Sequence, residues 1–191
     1  MSRINYLLER VLELSESLRP GYLKSVGSGV SLEEIELRFD SIFPTFEDKP
    51  LALFDIYFYV TGTKCDISDQ KYMDFIPGYR LIHFDEIEVE YRKYCALGLQ
   101  GENLFPFLTN YSSDYICVSR IQGESCIYSI LHDDPTPILM HKTLDRFLET
   151  IIKFYERDVY FVDNDGFLDF NFEDQGILGA ELNPELPYWF E

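Results

Sequence analysis

The run ENLFPFLTNYSSDYICVSRIQGESCIYSILHDDPTPILMH, Glu102 to His141, breaks into four short segments rich in aromatic and β-branched residues. ENLFPFL, DYICVSRI, SCIYSIL and PILMH are separated by TNYSS, QGE and HDDPT, where Asn, Ser, Gly, Asp and Pro supply turn chemistry. Connections this short, with Gly123 near the tip of the second, fit antiparallel neighbours in one sheet.

Helices are expected on either side of this block. Downstream, Thr143 stands before Leu144, Phe147, Leu148, Ile151, Ile152 and Tyr155, a capped helix whose apolar stripe should cover the sheet. Upstream, Ile4, Leu7, Leu8, Val11 and Leu12 follow helical spacing behind Ser2, and Arg19-Pro20-Gly21 ends that helix. VGSGV then reads as a glycine-containing loop, and Ser31 with Glu34 as a capping box for a helix presenting Leu32, Ile35, Phe39 and Ile42. LALFDIYFYVTG, with Pro50 at its head, reads as a short buried helix, with a strand nearly as well supported by propensity. GYRLIHF reads as a strand, and Asp85 as the cap of the short helix EIEVEYRKY.

After the last of these helices comes VDNDGFLDFNFED, Val162 to Asp174. It is not an EF-hand: with Gly166 at the sixth loop position, the first and twelfth fall on Phe161 and Phe172, which have no oxygen to offer a hard cation. It reads instead as a hairpin turning at Asn164, Asp165 and Gly166, residues that tolerate positive φ. A period of two places Leu168, Phe170 and Phe172 on an inner face and Asp169, Asn171 and Glu173 on an acidic outer one.

The chain has 191 residues and a formal net charge of −18, from 34 acids against 16 bases. A field of that sign repels phosphate backbones and anionic membrane surfaces, so neither nucleic acid nor membrane is expected as a partner; a cationic one is favoured. Nine acids and no Lys or Arg lie between Asp158 and Glu191, so half of the net charge is concentrated there. This segment is either a solvated face or a surface for a partner. Cys65, Cys95, Cys117 and Cys126 show no CxxC pair and no zinc-like spacing to histidine, which suits reduced thiols in a cytoplasmic protein. The longest uninterrupted apolar run, IYFYV, is far short of a membrane span, and Glu9, Glu13 and Glu16 interrupt any apolar region of a signal peptide.

Residues that carry covalent chemistry are sparse. The three histidines, His83, His132 and His141, fall in no metal or nucleophile motif, and no GxSxG, GxGxxG, Walker or HExxH pattern is present. Pairs such as Asp133-Asp134 arise by chance among 34 acids. The expectation is therefore no enzyme, no catalytic residue, no metal site and no cofactor.

The order of pieces, from SIFP and FYVTG through GYRLIHFDEIEVEY and FPFLTNYSSDYICV to TLDRFLETIIKFY, resembles the SUKH superfamily of bacterial immunity proteins and fungal glucan-synthesis regulators. The likeness runs from about Ser31 to Tyr155. It departs from many relatives at Ser113, where they place glycine before the aspartate, and at VTGTK, which shortens an Asn-Gly-Gly-like end. It implies an α+β fold with helices on one twisted antiparallel sheet, as a single domain over 1–191: core at about 31–155, N-terminal helix before it, acidic hairpin and tail after it. It also implies a binding protein that neutralises a toxin, with a regulatory scaffold of cell-wall synthesis as the alternative. Asp163, Asp165, Asp169, Glu173, Asp174, Tyr188 and Trp189 are the residues expected to meet a cationic partner. The aromatic cluster at the end fits an exposed anchor and a tail tucked onto the domain equally.

Overall fold

The computed structural model describes residues 2–43, 45, 49–99 and 103–190. Pro44, Glu102 and Glu191, which the sequence reading placed in SIFP, in the first strand run and in the acidic tail, lie outside the described residues. Helix α1 (Arg3–Leu18) is capped by Ser2, which accepts from the Asn5 amide, and buries Leu7, Leu8, Val11 and Leu12. The expected VGSG loop is a strand, β1 (Val26–Ser28). A Cβ on Gly27 would lie 1.9 Å from the Thr61 hydroxyl, so the missing side chain is what allows the close strand pairing there.

Helix α2 (Leu32–Ile42) begins with the expected Ser31–Glu34 capping box and buries Ile35 and Phe39, while Leu32 in its first turn stays exposed. LALFDIYFYVTG is divided between two states: α3 (Ala52–Tyr59), then β2 (Val60–Thr63), so both of the readings its residues allowed are realised in turn. β1 and β2 form an antiparallel ribbon. β3 (Arg80–Leu81) is shorter than the GYRLIHF run, although the Ile82 amide still donates to the Phe107 carbonyl. Asp85 does not cap the next helix, α4 (Ile87–Tyr94). It lies within the turn Phe84–Glu86, where His83 Nδ1 accepts from its amide and its carboxylate faces Arg38 at 3.3 Å.

The four segments of the sequence reading become β4 (Leu104–Thr109), β5 (Tyr115–Ser119), β6 (Ile127–Ile130) and β7 (Ile138–His141). With β3 they make an antiparallel sheet in the order β3-β4-β5-β6-β7. Pro106 is tolerated inside β4 because a bulge falls there: Pro106 pairs with Cys117, Leu108 with Ile116, and Phe107 is the extra residue. Along β5, Ile116 and Val118 enter the main core, whereas Tyr115 and Cys117 join Tyr94 of α4 on the opposite side. Both faces are covered, which is why YICV is apolar throughout instead of alternating. Asp114 fastens the sheet's end: its carboxylate accepts from Asn110 Nδ2 at 2.7 Å and from the His132 amide and Nδ1, both at 2.8 Å.

Helix α5 (Leu144–Glu156) is capped by Thr143, which accepts from the Arg146 amide, and its stripe packs on the sheet and on α1. Beyond it lie the antiparallel pair β8 (Tyr160–Val162) and β9 (Leu168–Phe170), and then α6 (Phe172–Leu182). The fold is thus α+β, with helices packed against an antiparallel sheet. Among the described residues, no helix is long and apolar enough to cross a membrane.

The hairpin arm expected to run on through Phe172 and Glu173 stops at Phe170. Asn171 accepts from the Asp174 amide at 3.1 Å, and Glu173 and Asp174 sit in the first turn of α6. A side-chain cap and acids beside the positive end of the helix prevail over a period of two carried by few residues. Phe172 consequently points outward and is 80% exposed, instead of belonging to the inner face.

Candidate functional site

The hairpin tip is built by Asp163. Its Oδ1 accepts from the Asp165 amide at 2.9 Å and the Phe167 amide at 2.8 Å, which commits that carboxylate to the turn. Gly166, with φ +92°, is the residue that uses the left-handed region; neither Asn164 nor Asp165 does. Lys71 lies against the same turn, since a Cβ on Gly166 would be 3.1 Å from its Nζ, and it offsets part of the charge at the tip. Asp165 is exposed, and so is Asp169, which β9 directs outward opposite Phe161.

Glu173 and Asp174 are exposed in the first turn of α6, so the helix itself accounts for part of their placement. Farther on, Glu185 pairs with Lys142 at 3.3 Å, an exposed ion pair of small energetic weight.

Tyr188 and Trp189 are turned toward the domain. Trp189 Nε1 donates to the Met140 carbonyl at 3.0 Å, and the ring meets His141 at 5.3 Å and Phe154 at 5.9 Å. Gly179 is required beneath it, because a Cβ there would come within 2.0 Å of the indole. Tyr188 is half-buried, and that burial pushes its phenol pKa up. Of the two readings left open for the tail, the tucked one describes these rings. The most exposed apolar groups of this segment are Phe172, Ile177 and Phe190 instead; of these, only Phe190 belonged to the terminal aromatic cluster picked out in the sequence.

These groups line an open groove of about 490 Å³ between the start of β7, the outer side of α6 and the final turn. The groove unites Glu173, Tyr188 and Trp189 from the expected set; Asp163, Asp165, Asp169 and Asp174 are not part of its wall. The signal for this arrangement was present in the sequence: Asn171 followed at the third residue by Asp174 is a helix-start pattern.

Under the same tail lies a more enclosed space of about 160 Å³, lined by His141, Ser129, Thr150 and Gln175 among aromatic and aliphatic side chains. Among the described residues lining it, none carries a carboxylate, a thiol or a fixed positive charge. His141 Nδ1 lies 3.2 Å from Asn183 Oδ1, and Asn183 Nδ2 donates to Thr150 Oγ1 and the Gly179 carbonyl. That orientation of the amide makes Nδ1 the protonated ring nitrogen of His141. Burial lowers the imidazole pKa to about 4. His141 therefore joins β7, α5 and the end of α6 as a neutral packed group. Among the described residues, no three of His, Cys, Asp and Glu come together as a metal site.

No family model matches the chain, and no curated protein matches it.

Proposed function

We propose that this chain is a non-catalytic, SUKH-like immunity protein that binds and neutralises a cognate bacterial toxin, a nuclease, in the cytoplasm. The observation that carries the reading is the segment after Asp158, which exposes the acids Asp165, Asp169, Glu173 and Asp174 and also the apolar Phe172, Ile177 and Phe190, with Glu173 in the same groove as those three. Nuclease clefts are basic because they hold phosphates. An acidic protein that imitates the substrate's charge is drawn into such a cleft, at rates up to about 10⁸–10⁹ M⁻¹s⁻¹ at low salt. Charge alone gives encounter and orientation; exposed aromatic and aliphatic groups supply the desolvated contacts that hold the complex. The resemblance of the segment from Ser31 to Tyr155 to the SUKH superfamily supports the same reading.

The test is co-expression with the product of the adjacent gene, followed by growth rescue and pulldown. The reading expects the neighbour to be toxic alone, harmless with this chain, and recovered in complex with it. A neighbour without toxicity, or rescue that persists after Asp165, Asp169, Glu173 and Asp174 are neutralised together, would overturn it.

A further inference from the structure

Two glycines of α6 stand in opposite circumstances. Gly179 is explained by the Trp189 indole pressed against it, whereas a Cβ on Gly176 would meet nothing within 4 Å. Glycine inside a helix is less favourable than alanine, so Gly176 weakens α6 without any packing reason within the chain. It lies in the wall of the open groove, together with Ile138, Phe172, Ile177 and Phe190. A Cβ-free position at that place leaves room for something to come close to the helix.

The charge around the groove selects what comes. Glu173 is the one charged residue among the described residues lining it; Asp174 follows Glu173, and Asp133 and Asp134 stand exposed in the loop that leads to Ile138. We propose that this groove receives an aromatic or branched aliphatic side chain of the partner, carried on a segment with Lys or Arg on both sides of it. The inference rests on the protein-binding reading above and names the kind of epitope that reading requires. The apolar wall accepts the inserted side chain, Glu173 together with the exposed Asp174, Asp133 and Asp134 accepts the flanking cations, and Gly176 sets how deeply the insertion goes.

The experiment is a ¹⁵N–¹H NMR titration of the full chain with two synthetic peptides, Gly-Lys-Lys-Phe-Lys-Lys-Gly and the same peptide with Ser in place of Phe. The expected result is a set of shifts centred on Ile138, Gly176 and Ile177, with the Ser peptide at least about tenfold weaker, the value of one buried apolar side chain. Gly176→Leu, which fills the wall, should weaken the Phe peptide by a similar factor. Phe190→Ser should also weaken it, and it alters no helix residue, so the proposal stays testable if Gly176→Leu disturbs folding. Equal binding of both peptides, unchanged by either substitution, would overturn the groove while leaving a cation-binding surface and the general reading intact. If neither peptide shifts the spectrum, both fail.

Discussion

Replacing His141 with glutamine and following stability from about pH 7.5 to about pH 4.5 isolates the contribution of one buried imidazole. His141 is 1% exposed, and burial lowers its pKa to about 4, against 6.5 for a free side chain. In this interval the unfolded chain takes up a proton at this residue and the folded chain does not, so stability falls as the pH falls. Each pH unit is worth about 1.4 kcal/mol, and the full interval between the two pKa values about 3 kcal/mol. Glu16, Glu34, Glu156 and Glu185, held below the usual carboxylate value by hydrogen bonds, also lose their contributions as the pH falls, but only at the acid end of the interval and equally in both proteins, so the comparison with His141→Gln removes them. Asp114 holds the pKa of His132 above its usual value, so that contribution is complete below the unfolded pKa and is lost only as pH rises through the folded one. Asp114 itself is held below the carboxylate range and loses its contribution at still lower pH; Asp74, raised by burial, acts in the opposite direction at the acid end. Urea unfolding followed by fluorescence of Trp189, whose ring lies 5.3 Å from His141, measures the effect at each pH. Over the interval the wild-type chain should lose most of about 3 kcal/mol more than His141→Gln does, once the variant's lower baseline is subtracted. Parallel curves for the two proteins would show that His141 is not kept neutral by its burial in the folded chain.

Other substitutions test the packing more locally. Ser113 has φ +66°, so Ser113→Gly should raise unfolding stability by about 1 kcal/mol in a denaturant titration; a loss would mean the turn is held by the serine side chain. Glu90 is 5% exposed and sits 3.4 Å from Arg80, with Lys93 at 2.9 Å and the Tyr115 hydroxyl at 3.3 Å. Arg80→Met should cost roughly 3 kcal/mol by leaving that carboxylate undercompensated, and an unchanged midpoint would show that Lys93 and water suffice. Gly176→Ala should raise the melting temperature, gaining up to about 1 kcal/mol from helix propensity; a drop would reveal an intrachain role for the bare position.

The parts of the fold that sequence made visible are those in which local signals agree. Ser2, Ser31 and Thr143 each cap a helix whose apolar stripe also faces the core. The four central strands are bounded by residues whose types favour turns over strands. What remained hidden depends on distant partners. Gly27 belongs to a strand because Thr61 lies beside it, and Gly179 admits Trp189, and neither spacing is local. In FLDFNFED the alternation is real as far as Phe170, after which Asn171 and Asp174 impose a helix; two short periodic patterns overlap on the same residues. The same overlap affects the candidate site. Its acids were visible by count, but which aromatic rings are free was decided by the way the tail folds back, with Trp189 inward and Phe172 and Phe190 outward.

The most direct test of the account is the affinity of this chain for the product of the adjacent gene. It should be measured at low and physiological salt, for the wild type and for a variant carrying Asp165→Asn, Asp169→Asn, Glu173→Gln and Asp174→Asn together. A charge-steered complex predicts that the variant associates at least about tenfold more slowly and loses most of the wild type's dependence on salt. A variant that matches the wild type in rate and Kd at both ionic strengths would contradict it.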